Sequence, residues 1–233
     1  MVWNVWETVF EDNKADMSQY DLIGGRVQVR DDVICLGAPE FLQTQRGRFA
    51  IESFLRPRVA RYQDVDITVK LQIESTGKTD GINEDPSHWF GISTRAIRPS
   101  LWDAYLYYIR KDGRVEFGIK DHPIEKPPRV ESVASQPVTF RIKVEGSRVQ
   151  TWVNERPYHD WQDKDGEFIR KGSIYLISHV ALVRIYEIQI KVKKWYAPLL
   201  RFCRRSWMVI VVLGVVGSVI GLFVWLLSWL WPK

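Results

Sequence analysis

Acidic residues are missing from one end of this chain: residues 191–233 hold none of its 28 Asp and Glu but seven of its 33 Lys and Arg. The formal charge of +5 therefore arises there, since residues 1–190 carry 26 basic against 28 acidic side chains. Positive charge gathered beside an apolar run points to anionic lipid rather than to nucleic acid, which is set aside as a partner. Cysteine is scarce as well. Two of them, Cys35 and Cys203, exclude a disulfide framework and fit a reducing compartment. The four histidines, His88, His122, His159 and His179, are scattered with no cysteine pair beside them, so no metal ligand set is expected. The N-terminus lacks a cationic start followed by an apolar core, which argues against a secretory leader. No amphipathic helix is legible before residue 191.

What the chain does have is an uncharged apolar run at residues 207–231, rich in Val, Leu, Ile and Trp. About 25 residues at ~1.5 Å each give a helix of roughly 37 Å, enough to cross a hydrocarbon core of about 30 Å. The expected organisation is a folded region over 1–192, a basic and aromatic connector over 193–206, a transmembrane helix over 207–231 and a two-residue tail, 232–233. Lys193, Lys194, Trp195, Arg201, Arg204, Arg205 and Trp207 have the composition of a membrane interface. Their charge predicts a single-pass, tail-anchored protein with its N-terminal region on the cytoplasmic side, in the inner membrane if the source is bacterial. Gly214, Gly217, Ser218 and Gly221 form a small-residue stripe suited to pairing of two such helices, so a homo-oligomer through the span is a further expectation.

Residues 1–190 are dominated by period two. In Val65-Asp66-Ile67-Thr68-Val69-Lys70-Leu71-Gln72-Ile73-Glu74 the apolar side chains fall on alternate positions, as on a strand with one buried face. Val138-Thr139-Phe140-Arg141-Ile142-Lys143-Val144-Glu145 repeats the pattern. Lys111-Asp112-Gly113-Arg114 and Glu145-Gly146-Ser147 supply hairpin turns. Further strands are predicted at 26–30, 33–36, 48–55, 88–94, 149–153, 173–178 and 182–192, with a bulge near Tyr186 and Glu187 where apolar parity shifts. So many short strands predict an all-β fold, an antiparallel jelly-roll β-sandwich followed by one C-terminal transmembrane α-helix.

The segments Phe140-Arg141-Ile142-Lys143-Val144-Glu145-Gly146, Val149-Gln150-Thr151-Trp152-Val153-Asn154, Gly172-Ser173-Ile174-Tyr175-Leu176-Ile177-Ser178-His179 and Val183-Arg184-Ile185-Tyr186-Glu187-Ile188-Gln189-Ile190 carry a resemblance. Together with Trp89-Phe90-Gly91-Ile92-Ser93 they resemble concanavalin-like, laminin-G-like jelly rolls, especially domains related to 3-keto-disaccharide hydrolases. Glu155 stands where that group usually has glycine. The resemblance implies the sandwich fold and a choice among sugar-binding modules, glycosidases and protein-binding domains.

Sugar recognition draws on aromatic faces and hydrogen-bonding side chains, which makes Trp89, Arg95, Trp102, Tyr105 and Tyr107 the ligand-binding candidates. Tyr105 and Tyr107 share a face and Tyr108 takes the other. For catalysis the chain offers only isolated acid/base groups, Glu116, Asp103 and His122, with Glu116 expected beside Tyr105 or Tyr107. The Glu-x-Asp-x-x-Glu signature of one jelly-roll glycosidase group is absent. Asp64 and Asp66 read as the start of a solvated strand face, and the 163–167 turn as solvated, while calcium at a loop rim stays open. The leading expectation is a non-catalytic module that binds a glycan, glycoconjugate or membrane-associated protein beside the lipid bilayer. A glycoside hydrolase-like enzyme and an oligomerising membrane effector are the alternatives.

Overall fold

The computed structural model describes residues 6–37, 52–74, 88–99, 104–119, 122–123, 136–164, 166, 170–179 and 181–193. One compact unit spans Glu7–Val192. The other, Met1–Trp6 with Lys193–Lys233, contributes only Trp6 and Lys193 to the described residues.

Two antiparallel sheets make up the compact unit. The first contains β1 (Trp6–Asp12), β3 (Val27–Arg30), β4 (Val33–Leu36), β6 (Val65–Glu74), β11 (Val138–Glu145), β12 (Arg148–Val153), β13 (Arg156–Gln162) and β15 (Leu182–Lys193). Its order is β13-β12-β11-β6-β15-β4-β3, and β1 also pairs with β15. The second contains β2 (Tyr20–Gly24), β5 (Glu52–Pro57), β7 (Trp89–Ala96), β8 (Tyr105–Arg110), β9 (Val115–Ile119), β10 (His122–Pro123) and β14 (Ser173–His179), in the order β10-β9-β8-β7-β14-β5-β2. A 3₁₀ turn at Met17–Gln19 is the one helical element among the described residues.

Period-two patterning decides which side chains fill the space between the sheets. Val65, Ile67, Val69, Leu71 and Ile73 of β6 meet Phe90 and Ile92 of β7, Tyr105 and Tyr107 of β8 and Phe140 of β11 in one cluster. Each such side chain withdrawn from water contributes about 1.5–3 kcal/mol. Lys70, on the other parity of β6, is exposed.

Turn chemistry matches the sequence expectation where glycine is available. Gly113 adopts φ 83° between β8 and β9, which pair antiparallel. The bulge near Tyr186 is present as a register shift between Ile185 and Glu187 against β6. At the β12–β13 turn both Asn154 (φ 49°) and Glu155 (φ 65°) are left-handed, so Glu155 occupies a conformation that favours glycine.

The predicted span over 207–231, its flanking residues Lys194, Trp195, Arg201, Arg204, Arg205 and Trp207, and the stripe of Gly214, Gly217, Ser218 and Gly221 lie outside the described residues. Among the described residues no helix is long and apolar enough to cross a membrane.

Candidate functional site

Strand parity gives the second sheet two faces of different kinds. Phe90, Ile92, Tyr105 and Tyr107 point into the inter-sheet core. Their neighbours Trp89, Leu106, Tyr175 and Ile177, with Phe54 and Tyr108 packed against them, form a second cluster drawn from this sheet alone, on its outer face. The strand register sorts that face into rows. Glu116 is opposite Tyr108, and Tyr108 opposite Gly91; Trp89 lies between Arg110 and His179, and His179 is opposite Glu52.

Side-chain contacts follow these rows across five strands. Both oxygens of Glu116 are occupied: Arg110 Nε is 2.7 Å from Oε1, Arg110 Nη2 donates to Oε2 at 3.1 Å, and the Tyr108 hydroxyl also donates to Oε2. Burial and the bond to Glu116 push the Tyr108 phenol up to about 12. Burial is the largest influence on Arg110 and works against its charge, but the hydrogen bond to Glu116, the charge of that carboxylate and Tyr108 together outweigh it and raise the Arg110 pKa. The Trp89 indole lies 5.1 Å from Tyr108 and is stacked with His179 at 5.0 Å and 12° between planes. Beyond it, His179 Nδ1 is 3.4 Å from Glu52 Oε1. Gly91 makes room for the indole, since a Cβ there would lie 2.8 Å from Trp89 Cζ3. The result is a half-buried rim of Glu52, Phe54, Tyr108, Arg110 and His179 around a buried centre of Trp89, Leu106, Ser93, Tyr175 and Ile177.

A second polar group closes one end of the sandwich. Arg95 is buried with φ 59°, and its Nε donates to the carbonyl of Gln63 at 2.7 Å. Nη2 donates to the carbonyl of Gly146 at 2.6 Å and to Asp64 Oδ1 at 3.4 Å, and Nη1 reaches the Tyr105 hydroxyl at 3.5 Å. Tyr105 in turn donates to Asp163 Oδ2 at 2.6 Å, and Asp64 Oδ1 also accepts from the Gly146 amide at 2.9 Å. Burial pushes the Arg95 pKa down, and burial followed by the bond to Asp163 pushes the Tyr105 phenol up.

These placements revise several expectations. Glu116 lies beside Tyr108 and Arg110, on the opposite face from Tyr105 and Tyr107, because the β8–β9 register sets it across from Tyr108. Tyr107 is fully buried and stacked on Phe140 at 4.3 Å, and Tyr105 is fully buried at the Arg95 group, so neither offers a ring face to a ligand. Arg95 is committed to that internal group. Trp89 alone of the described ligand-binding candidates lies on the outer face. Trp102 and Asp103 are outside the described residues, and His122 is described only as backbone of β10.

Asp64 and Asp66 are not solvated. The first pairs with Arg95; the second accepts from Arg141 Nε at 2.7 Å and Nη2 at 2.5 Å. Asp163 is likewise buried. No group of three or more His, Cys, Asp or Glu able to hold a metal ion occurs among the described residues. Trp152 lies on the first sheet, with the Arg141 guanidinium 4.6 Å above its ring.

The sequence reading missed His179, Glu52, Ser93 and Tyr175. The apolar alternation of β14 carried the face of Tyr175, whereas the contact of His179 with Trp89 depends on a register that one sequence does not reveal.

The family of 3-keto-alpha-glucoside-1,2-lyase-like domains matches residues 46–191, more than half of the chain. No curated protein matches. Solved structures share the fold at low identity. The carbohydrate-binding module CBM66 from Bacillus subtilis has a TM-score of 0.52 and 13% identity, covering 72% of this chain and 91% of its own. A laminarinase from Rhodothermus marinus has a TM-score of 0.58 and 10% identity, covering 82% and 99%. The exoplasmic/lumenal domain of VIP36, bound to calcium and Man3GlcNAc, has a TM-score of 0.52 and 8% identity, covering 80% and 89%. Lectins and glycoside hydrolases alike share this concanavalin-like sandwich, and this chain belongs to the family of 3-keto-alpha-glucoside-1,2-lyase-like domains.

Proposed function

We propose that the protein is a non-catalytic carbohydrate-binding sandwich whose ligand sits on the outer face of the second sheet. The observation that carries this reading is the row Glu116, Tyr108, Arg110, Trp89, His179 and Glu52, in which aromatic rings alternate with oriented polar groups, Tyr108, Arg110, His179 and Glu52 half-buried and Trp89 and Glu116 buried between them. Sugars present an apolar C–H face and a ring of hydroxyls, and such a surface answers both. The apolar run over 207–231 and its basic flank support display of this module at the cytoplasmic side of a membrane, with Gly214, Gly217, Ser218 and Gly221 as a contact between two copies.

The binding reading is preferred over glycoside hydrolysis on spacing. A glycosidase holds two carboxyl groups about 5–10 Å apart across the scissile bond. Glu116 and Glu52 lie four strands apart, β9 to β5, which at ~4.8 Å per strand is roughly 19 Å. Family membership favours a second reading, an enzyme acting on a glycoside, in which His179 beside Glu52 is the group on this face with the chemistry of a general base.

A glycan array probed with the full-length chain in mild detergent, in calcium and in chelator, separates the two when each hit is also assayed for released sugar. Saturable binding without product supports the module. Product release would overturn it in favour of the enzyme, and an array with no hit at all would sink both.

A further inference from the structure

Exposed apolar side chains are concentrated on one side of the sandwich. Leu22 (46% exposed), Ile23 (42%) and Val29 (43%) lie close together in the chain, and among the described residues only one other large hydrophobic, Ile97, is exposed. Leu22 and Ile23 belong to β2 and Val29 to β3, the strands that end the second and the first sheet. The chain passes from one to the other through Gly25 and Arg26, so both sheets present a margin on this side.

β3 lacks the guards that the other margins carry. β10 ends at Pro123, β13 contains Pro157 and shifts register against β12, β2 shifts register between Leu22 and Gly24, and β1 carries Glu7 and Glu11. Such features discourage one sheet edge from pairing with another. β3, Val27-Gln28-Val29-Arg30, pairs with β4 in unbroken register and with no other strand among the described residues.

The outward hydrogen-bonding groups of β3 follow from its turn. Asp31 and Asp32 (φ 52° and 59°) make a two-residue turn, which closes the hairpin with Arg30 and Val33 as a hydrogen-bonded pair. Alternation makes Gln28 and Cys35 the next such pair, and the Gly37 amide, donating to the Arg26 carbonyl at 2.9 Å, continues it. The N–H and C=O groups of Val27 and Val29 are therefore turned away from β4.

A second copy of the chain fits this edge. Facing residues of an antiparallel pair point to the same side of the sheet, so a two-fold axis between two β3 strands has to set one residue opposite its own copy. With Val29 on the axis, Val29 faces Val29, Gln28 of each copy faces Arg30 of the other, and Arg26 faces Asp32. The contacts are then apolar, hydrogen-bonding and opposite in charge; Arg30 Nη2 already donates to its own Gln28 Oε1 at 2.7 Å. Arg26 and Arg30 balance Asp31 and Asp32, so the edge favours a copy of itself over a strongly acidic or basic partner. The same axis brings Leu22 and Ile23 of the two β2 margins toward each other.

We propose that the protein forms a two-fold dimer by antiparallel pairing of β3 with β3, which joins the first sheets of two copies into one. This contact is separate from the stripe of Gly214, Gly217, Ser218 and Gly221 and does not depend on what the second sheet binds. Because the axis is perpendicular to the sheets, both copies turn the outer face of the second sheet the same way, so a ligand of repeated units meets two faces at once.

The test is sedimentation equilibrium of the full-length chain and of V29K in detergent, with disulfide capture of V29C and K70C in a C203S background. V29K sets like charges against each other on the axis and should raise the dimer dissociation constant about tenfold or more, with the circular dichroism spectrum unchanged. V29C should form an interchain disulfide under mild oxidation, because facing residues of a hydrogen-bonded pair have Cα atoms about 5.5 Å apart, within disulfide reach. K70C, exposed on β6 within the first sheet, should not. V29C carries the test if V29K fails to fold. A wild type that stays monomeric, a V29K dimer as tight as the wild type, or V29C that crosslinks no faster than K70C would overturn the edge dimer.

Discussion

Two polar groups in this sandwich differ in one respect, and the difference separates an internally closed end of the fold from the face proposed for the ligand. At the end of the sandwich, Arg95 donates from Nε, Nη1 and Nη2 to two backbone carbonyls, a phenol and a carboxylate. That group is internally closed, and it ties β7 to the approach to β6, the β11–β12 turn and the end of β13. On the outer face of the second sheet, the paired charges sit on a half-buried rim and Ser93 keeps a spare hydroxyl. Neither burial nor a missing partner marks a site by itself here, because Thr94 Oγ1 and the Tyr107 hydroxyl are also buried without one; the outer face is set apart by its half-buried rim of paired charges around a buried aromatic centre.

The strongest way to break the comparison is to open the closed group. R95A leaves Asp64 buried without its cation, and removal of one partner from a buried pair costs about 3–5 kcal/mol. Chemical denaturation should show that loss. A change under 1 kcal/mol would mean that Arg95 does not organise this end.

A smaller loss is expected on the outer face. In G91A the new methyl meets Trp89 Cζ3 at 2.8 Å and Leu106 Cδ1 at 3.1 Å, and overpacking of this kind costs about 1–3 kcal/mol. Because the indole must move off the strand, Trp fluorescence and glycan affinity should change together. Stability that drops while affinity holds would detach the Trp89 row from binding.

Alkaline titration sharpens the contrast without mutation. Phenols whose folded pKa is raised contribute stability that is fully present below pH ~10, the unfolded value, and is lost as pH climbs through the folded value. Tyr108 on the face should ionise near pH 12 while the protein is still folded, and Tyr105 in the Arg95 group only later, with unfolding. Ultraviolet difference spectra of Y108F and Y105F assign the two steps. The reverse order would contradict the burial that distinguishes the groups.

The smallest effect expected lies in neither region and serves as a control. E155G places glycine at a left-handed position and should stabilise by about 0.5–1 kcal/mol with glycan affinity unchanged.

The strands were legible because β6, β11 and β15 alternate so regularly that the inward face could be named residue by residue. β1, β2 and β13 were not. Arg156–Gln162 reads RPYHDWQ, with two intermediate and no fully buried ring among its aromatic positions, so no apolar alternation announces it. The site was half legible: Tyr105 and Tyr107 were placed on one face and Tyr108 on the other, but which face is core depends on the partner sheet. Asp64 and Asp163 appeared solvated because the cation they sit beside, Arg95, is distant in sequence from both. His179 reaches Trp89 only through the β14–β7 register.

The most direct measurement is glycan affinity of three full-length proteins, wild type, E116Q on the outer face of the second sheet and W152A on the first sheet, by calorimetry with the best array hit. E116Q removes the charge and one of the two acceptor oxygens that hold Arg110 and Tyr108 and should weaken binding about tenfold, while W152A should bind as wild type. Binding lost in W152A and retained in E116Q would place the ligand on the other sheet and contradict the account.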